Sequence, residues 1–118
     1  MASHNELGRI GEALGKTFLE EQGYSILHLN WKHSYYEIDI IANKVDVLHF
    51  VEVKTRRSYR FGLPEESVDH KKLEKMMNAA EEFIFLFPAW RKVQYDVLSI
   101  SFGTNNQPEF FLIEDVYL

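Results

Sequence analysis

Two strand-like runs, Tyr35 to Ala42 and Val47 to Lys54, are separated only by Asn43-Lys44-Val45-Asp46. That separation fixes how they pair. A parallel pair needs a crossover of a dozen or more residues, whereas a tight turn can join only antiparallel neighbours. Asn and Asp suit such a turn. Both flanking runs are rich in Ile, Val, Phe and Tyr, which favour a pleated, half-buried surface. The fold must therefore contain this β-hairpin, and the rest of the chain has to pack around it.

Helical patterns lie on both sides. Ser3-His4-Asn5-Glu6 has the form of a capping box, and a helix is expected from there to about Gln22, stopped by Gly23. Leu7, Ile10, Leu14 and Phe18 form its apolar stripe. Gly8, Gly11 and Gly15 lie along one flank, where they weaken the helix unless another segment approaches closely. Tyr24 to Trp31 reads as a strand before the hairpin. After it, Thr55 to Pro64 reads as a loop. A second helix is expected from near Asp69 to about Phe87, because Leu73, Met76, Met77, Ala80, Phe83, Ile84 and Phe87 keep helical spacing. Pro88 ends it. Val93 to Phe102 and Glu109 to Ile113 read as strands around the turn Gly103 to Pro108. The order α-β-β-β-α-β-β implies an α/β domain, with a mixed central sheet flanked by helices. The first three strands are expected to be antiparallel, and the fourth to join in parallel after the helical crossover.

The 118 residues fit one domain spanning 1–118, and 46% hydrophobic with 14% aromatic residues is enough for a core. There is no cysteine, which excludes disulfides, thiolate zinc and a thiol nucleophile. No apolar run reaches membrane-span length, and Met1 to Arg9 lacks the apolar core of a signal peptide. A cytoplasmic protein without a membrane partner is the expectation. The net charge of −5 counts against a general nucleic-acid coat but permits local basic patches.

Chemistry enters where the hairpin strands carry charge. Glu37-Ile38-Asp39 lies in one and Glu52-Val53-Lys54 in the other. Alternation puts Glu37 and Asp39 on one face of their strand, and Phe50, Glu52 and Lys54 on one face of theirs. A two- or four-residue loop centred between Lys44 and Val45 pairs Asp39 with Phe50 and Glu37 with Glu52, so all the charges share a face. A three-residue loop puts the two sets on opposite faces. Carboxylates so placed repel one another, and a divalent cation removes the conflict. Mg²⁺ accepts a few carboxylates plus waters and phosphate oxygens. Lys54 would orient a water or neutralise a phosphate. The plainer reading is a set of exposed ion pairs on an open sheet face.

An acid followed on the next strand by (D/E)-x-K resembles the PD-(D/E)-x-K nuclease superfamily, which includes restriction enzymes and archaeal-type Holliday junction resolvases. More narrowly, the chain resembles the YraN family of bacterial proteins. The matching stretches run through Gly8-Arg9-Ile10-Gly11-Glu12-Ala13, Gly23-Tyr24, Asn30-Trp31, Glu37 to Ala42, Phe50 to Arg56, Phe61 to Val68, Lys71-Lys72 and Tyr95-Asp96-Val97. The resemblance implies a restriction-endonuclease-like core and a Mg²⁺ or Mn²⁺ cofactor. It also implies roles: Asp39 and Glu52 as metal ligands with the Val53 carbonyl, Lys54 as the catalytic lysine, and Glu12 as a helix-borne acid supporting the metal. Glu37 fits a supporting role as well as ligation. Two departures stand out. Tyr36 replaces the small residue common before E-I-D, and Lys71-Lys72 stand where resolvase-type enzymes often carry Gln on the following helix.

Lys54, Arg56, Arg57 and Arg60 form a basic stretch with Tyr59 directly after the candidate site, and Lys71 and Lys72 follow on the next helix. These are the candidate phosphate contacts. They also fit a solvated basic loop and a polar helix face. His4, His28, His33 and His49 lack metal-ligand spacing and read as structural. Phe110, Phe111 and Tyr117 offer a homodimer contact. Three readings follow: a metal-dependent nuclease acting on DNA, including branched DNA; a non-catalytic nucleic-acid-binding module; and a protein-interaction subunit.

Overall fold

The structure, a computed structural model, describes residues 4–57 and 69–117. Ser3 of the capping box, Arg60 and most of the expected loop lie outside the described residues. The elements follow the expected order: α1 (His4–Glu21), β1 (Ser25–His33), β2 (Tyr36–Lys44), β3 (Val47–Arg56), α2 (His70–Leu86), β4 (Val93–Phe102) and β5 (Pro108–Ile113). They form one five-stranded sheet in the order β1-β2-β3-β4-β5. All neighbours are antiparallel except β3 and β4, which run parallel across the α2 crossover. Thr55 and Arg56, expected in a loop, extend β3 because they pair with Ile100 and Ser101 of β4.

The helices cover opposite faces of the sheet. Under α2 lie Ile38, Ile41, Leu48 and Phe50 of the sheet, packed on Leu73, Met76, Ala79, Ala80 and Phe83. Under α1 lie Ile40, Ala42, Val51, Leu98 and Ile100, packed on Leu19 and Tyr24. The central strands are buried on both faces, which accounts for their nearly continuous apolar runs. Asp69 caps α2, its side chain accepting the Lys71 and Lys72 backbone N–H groups at 2.9 and 3.5 Å.

The buried stripe of α1 differs from the expected one. Gly11, Gly15 and Leu19 face the sheet, Leu14 and Phe18 flank them, and Ile10 is 43% exposed. The glycines explain the shift. A Cβ on Gly11 would overlap the Thr55 side chain, and one on Gly15 would stand 3.2 Å from Leu98 Cδ2. Close approach of the helix to the sheet thus compensates their low helix propensity. Gly8 has no such neighbour. At the other end Gly23, with φ 94°, closes the helix: its N–H donates to the Glu20 carbonyl, and the Tyr24 N–H donates to that of Leu19.

The hairpin turn has even length, and its register is displaced from the expected one. Lys44 pairs with Val47, leaving Val45 and Asp46 as a two-residue loop with φ values of 51° and 61°. Such a loop matches the natural twist of a hairpin. Continued past the last pair, Ile40 with Val51, this register sets Asp39 opposite Glu52 instead of Phe50. The shared parity survives; only the partners change.

His49 is structural, as expected. It is buried, with Nδ1 at 2.7 Å from Asp96 Oδ2, while Asp96 Oδ1 accepts from Gln94 Nε2 and the Asp115 N–H. The network secures the segment after β5 to β4. Phe110 is also used internally, stacked on Phe18 at 4.6 Å, while Phe111 and Tyr117 remain exposed.

Candidate metal centre

The β2–β3 ladder stops where the charged residues begin. Two features open it there. Asn30, with φ 51°, falls between the β1–β2 pairs Leu29 with Ile40 and Trp31 with Ile38. Asn tolerates that backbone better than most residues. Across from it the alternation of β2 breaks at Asp39, since Ile38 packs under α2 and Ile40 under α1. Asp39 then replaces a strand as hydrogen-bond partner: its Oδ2 accepts the Val53 N–H at 2.9 Å. A side chain satisfies the backbone donor that the parting strands would leave behind.

The result is a cleft of about 720 Å³ between the N-terminal parts of α1 and α2. It is lined by Glu12 of α1, Glu37 and Asp39 of β2, Glu52 and Lys54 of β3, and Lys72 and Lys75 of α2. Four of the predicted residues, Asp39, Glu52, Lys54 and Glu12, thus border one cavity. Tyr36 lines it too but packs toward the α2 core, so its bulk is partly absorbed there.

The electrostatics are those of an acid pair beside an ammonium pair. Burial raises the pKa of Asp39; the Val53 N–H opposes this, Glu37 adds to it, and Lys72 lowers it. Burial and the Asp39 charge raise Glu52, with Lys72 and Lys54 pulling the other way. Burial, then Asp39 and Glu37, raise Glu12, while Lys32 lowers it. Lys54 is shifted down by burial and by Lys72, which lies within hydrogen-bonding reach of it. Like charges are therefore held close on both sides of the cleft. Each set is relieved by an opposite partner: a cation for the carboxylates, an anion for the lysines.

Hard oxygen donors in this number suit Mg²⁺ or Mn²⁺, which retain waters and take phosphate oxygens. Among the described residues, no group of three or more His, Cys, Asp or Glu side chains is arranged to hold an ion. The Asp39 charge acts both on Glu52 and, across the cleft, on Glu12. That fits an ion shared with water and substrate better than a closed protein cage.

Some predicted contacts fall elsewhere. Arg56 lies near enough to act on Lys54, while Arg57 is exposed beyond the end of β3. Lys72 lines the cleft and Lys71 does not. Lys75 and Lys32 were missed. The spacing of Lys72 and Lys75, one helical turn apart, carried a signal for the first. Lys32 is found through its pairing with Glu37, which needs the β1 register.

Comparison with known proteins shows the family. The profile of the uncharacterised protein family UPF0102 matches residues 11–100. The chain belongs to that family. This is the YraN family, whose fold is restriction-endonuclease-like. A UPF0102 protein of Bacteroides thetaiotaomicron is 43% identical over 100 residues, covering 85% of this chain and 83% of the relative. One of Flavobacterium psychrophilum is 41% identical over 100 residues, covering 85% and 84%. One of Flavobacterium johnsoniae is 39% identical over 118 aligned residues, covering 97% and 93%. The UPF0102 profile spans Glu12, Asp39, Glu52, Lys54 and Lys72 alike.

Proposed function

We propose that this protein is a divalent-metal-dependent nuclease acting on DNA, with branched DNA among its substrates. One observation carries the reading: Asp39 and Glu52, both raised in pKa, border the same open cleft as Lys54 and Lys72. Asp39 and Glu52 would hold Mg²⁺ or Mn²⁺, with Glu12 supporting it across the cleft. A bound ion there would polarise the phosphodiester and lower the pKa of an attacking water. Lys54 sits two residues along β3 from Glu52, placed to orient that water or to stabilise charge on the phosphate. Lys72 supplies a second ammonium from the first turn of α2, where the helix dipole also favours an anion. Arg56 and Arg57 would continue the phosphate track at the end of β3.

The test is incubation with branched, duplex and single-stranded DNA in Mn²⁺, beside a Glu52→Ala control. Cutting by the wild type alone supports the reading. Equal cutting by both proteins, or none by either on any substrate, overturns it. A second reading, a nucleic-acid-binding module without cutting, is favoured by the lack of a third close carboxylate among the described residues. It predicts salt-dependent binding with no hydrolysis and little loss of binding on Asp39→Ala.

A further inference from the structure

The β1–β2 hairpin turns through Ser34 and Tyr35 at the rim of the cleft. Tyr35 is 99% exposed. Tight turns are dominated by Gly, Asn, Asp, Ser and Pro, none of which displays an aromatic ring. The backbone gives no reason for an aromatic residue here, since the positive φ of the turn, 55°, belongs to Ser34.

Both strands of the hairpin that carries Tyr35 are anchored on α2. Trp31 and His33 stack with centroids 5.9 Å apart, and Trp31 meets Phe83 of α2 edge-on at 5.3 Å. His33 Nε2 lies 3.4 Å from Glu82 Oε1 on α2. Tyr36 packs toward the α2 core. Tyr35 is thus an exposed ring on an anchored support, so little backbone freedom is lost when a planar ligand settles on it.

Its surroundings say what that ligand carries. Tyr35 borders the same cleft as Lys54, Lys72 and Lys75, and Lys32 lies two residues before the turn. Ammonium groups in a track beside an exposed ring match the two parts of a nucleotide strand, its phosphates and its bases. Stacking needs a base whose face is free, which a paired base within a duplex does not offer. At about 3.3 Å per residue, Tyr35 stands at most about 13 Å along β2 from Asp39. That spans about four stacked nucleotide steps of 3.4 Å.

We infer that Tyr35 is a base-stacking site for an unpaired nucleotide within about four steps of the phosphate at Asp39 and Glu52, selecting single-stranded or junction-exposed nucleic acid over continuous duplex. The inference rests on the nuclease reading of the cleft and adds its substrate class.

The experiment measures binding in Ca²⁺ of three oligonucleotides carrying 2-aminopurine: a single strand, a duplex with a short gap, and a continuous duplex. Wild type is compared with Tyr35→Ala and Tyr35→Trp. Because the side chain is exposed, neither change removes core packing. Tyr35→Ala is expected to weaken binding to the single strand and the gapped duplex by about 5- to 100-fold, with loss of 2-aminopurine quenching. Binding to continuous duplex changes less than about twofold, and Tyr35→Trp restores both signals. Unchanged affinity of Tyr35→Ala for unpaired DNA, or an equal loss on continuous duplex, overturns the inference. A wild type that binds through Tyr35 but never cuts in Mn²⁺ overturns the nuclease reading alone. A wild type that cuts with no dependence on Tyr35 overturns this inference alone. A wild type that binds none of the three overturns both.

Discussion

At the scale of single residues, the cleft stores repulsion that folding alone does not relieve. Burial and Asp39 hold the Glu52 carboxyl above the ordinary value of 4.5. A carboxyl with a raised folded-state pKa favours folding while protonated, and that contribution is lost as pH rises through the raised value. Metal-free protein is therefore expected to lose stability from about pH 4.5 toward neutrality. Glu52→Gln flattens that slope and raises the melting midpoint at pH 7 by about 2 to 6 °C. Mn²⁺ stabilises the wild type and not the variant. Thermal melts across pH, with and without Mn²⁺, check all three outcomes. The residues of this pair were legible because an acid in a strongly apolar strand is conspicuous. Lys72 was legible only together with Lys71, since adjacent residues differ by about 100° around a helix and only the packed structure sets its phase. Lys32 needed the pairing of two strands.

At the scale of elements, α1 is positioned by what its glycines lack. Gly11 lets the helix approach Thr55, and this approach places Glu12, the next residue, at the cleft. Gly11→Ala is expected to cost about 1 to 3 kcal/mol, because neither helix nor strand can yield without moving the core. Gly8→Ala, at a position with open space, is expected to stabilise the helix by about 0.5 to 1 kcal/mol. Denaturant titration of the two variants separates them by sign. The apolar stripe of α1 was misread for the same reason. A scale that rewards large apolar side chains passes over glycine, yet Gly11 and Gly15 mark the buried line and Ile10 lies outside it. At α2, the backbone N–H groups of Lys71 and Lys72 hold the Asp69 carboxyl below its ordinary range. Its contribution is present above the ordinary pKa and is lost as pH falls through the depressed one. Asp69→Ala therefore lowers the melting midpoint at pH 7 by about 2 to 6 °C and by less near pH 3. The β2–β3 turn shows how far an element can be read. The turn residues allowed either parity, and the pairing of Lys44 with Val47 makes it even. The exact register was not legible, because Val45 occupies a positive-φ position that a β-branched residue seldom takes.

At the scale of the molecule, the cleft exists because two β-strands that pair along one half part along the other. Helices on both faces supply Glu12 from one side and Lys72 from the other. Element order and the antiparallel-then-parallel topology were legible, being set by connection lengths and periodicity. The opening between the strands was not. It depends on Asn30 and Asp39 breaking alternation together across a strand pair, and on the Val53 N–H donating to the Asp39 carboxylate in place of a strand partner. In the proposed function, this opening holds a divalent ion between Asp39 and Glu52. Crystals soaked in Mn²⁺ test it most directly through the anomalous signal of the metal. One peak is expected within about 2.0 to 2.3 Å of oxygens from both carboxylates, with remaining positions taken by water. A saturating soak with no peak between Asp39 and Glu52 would contradict it.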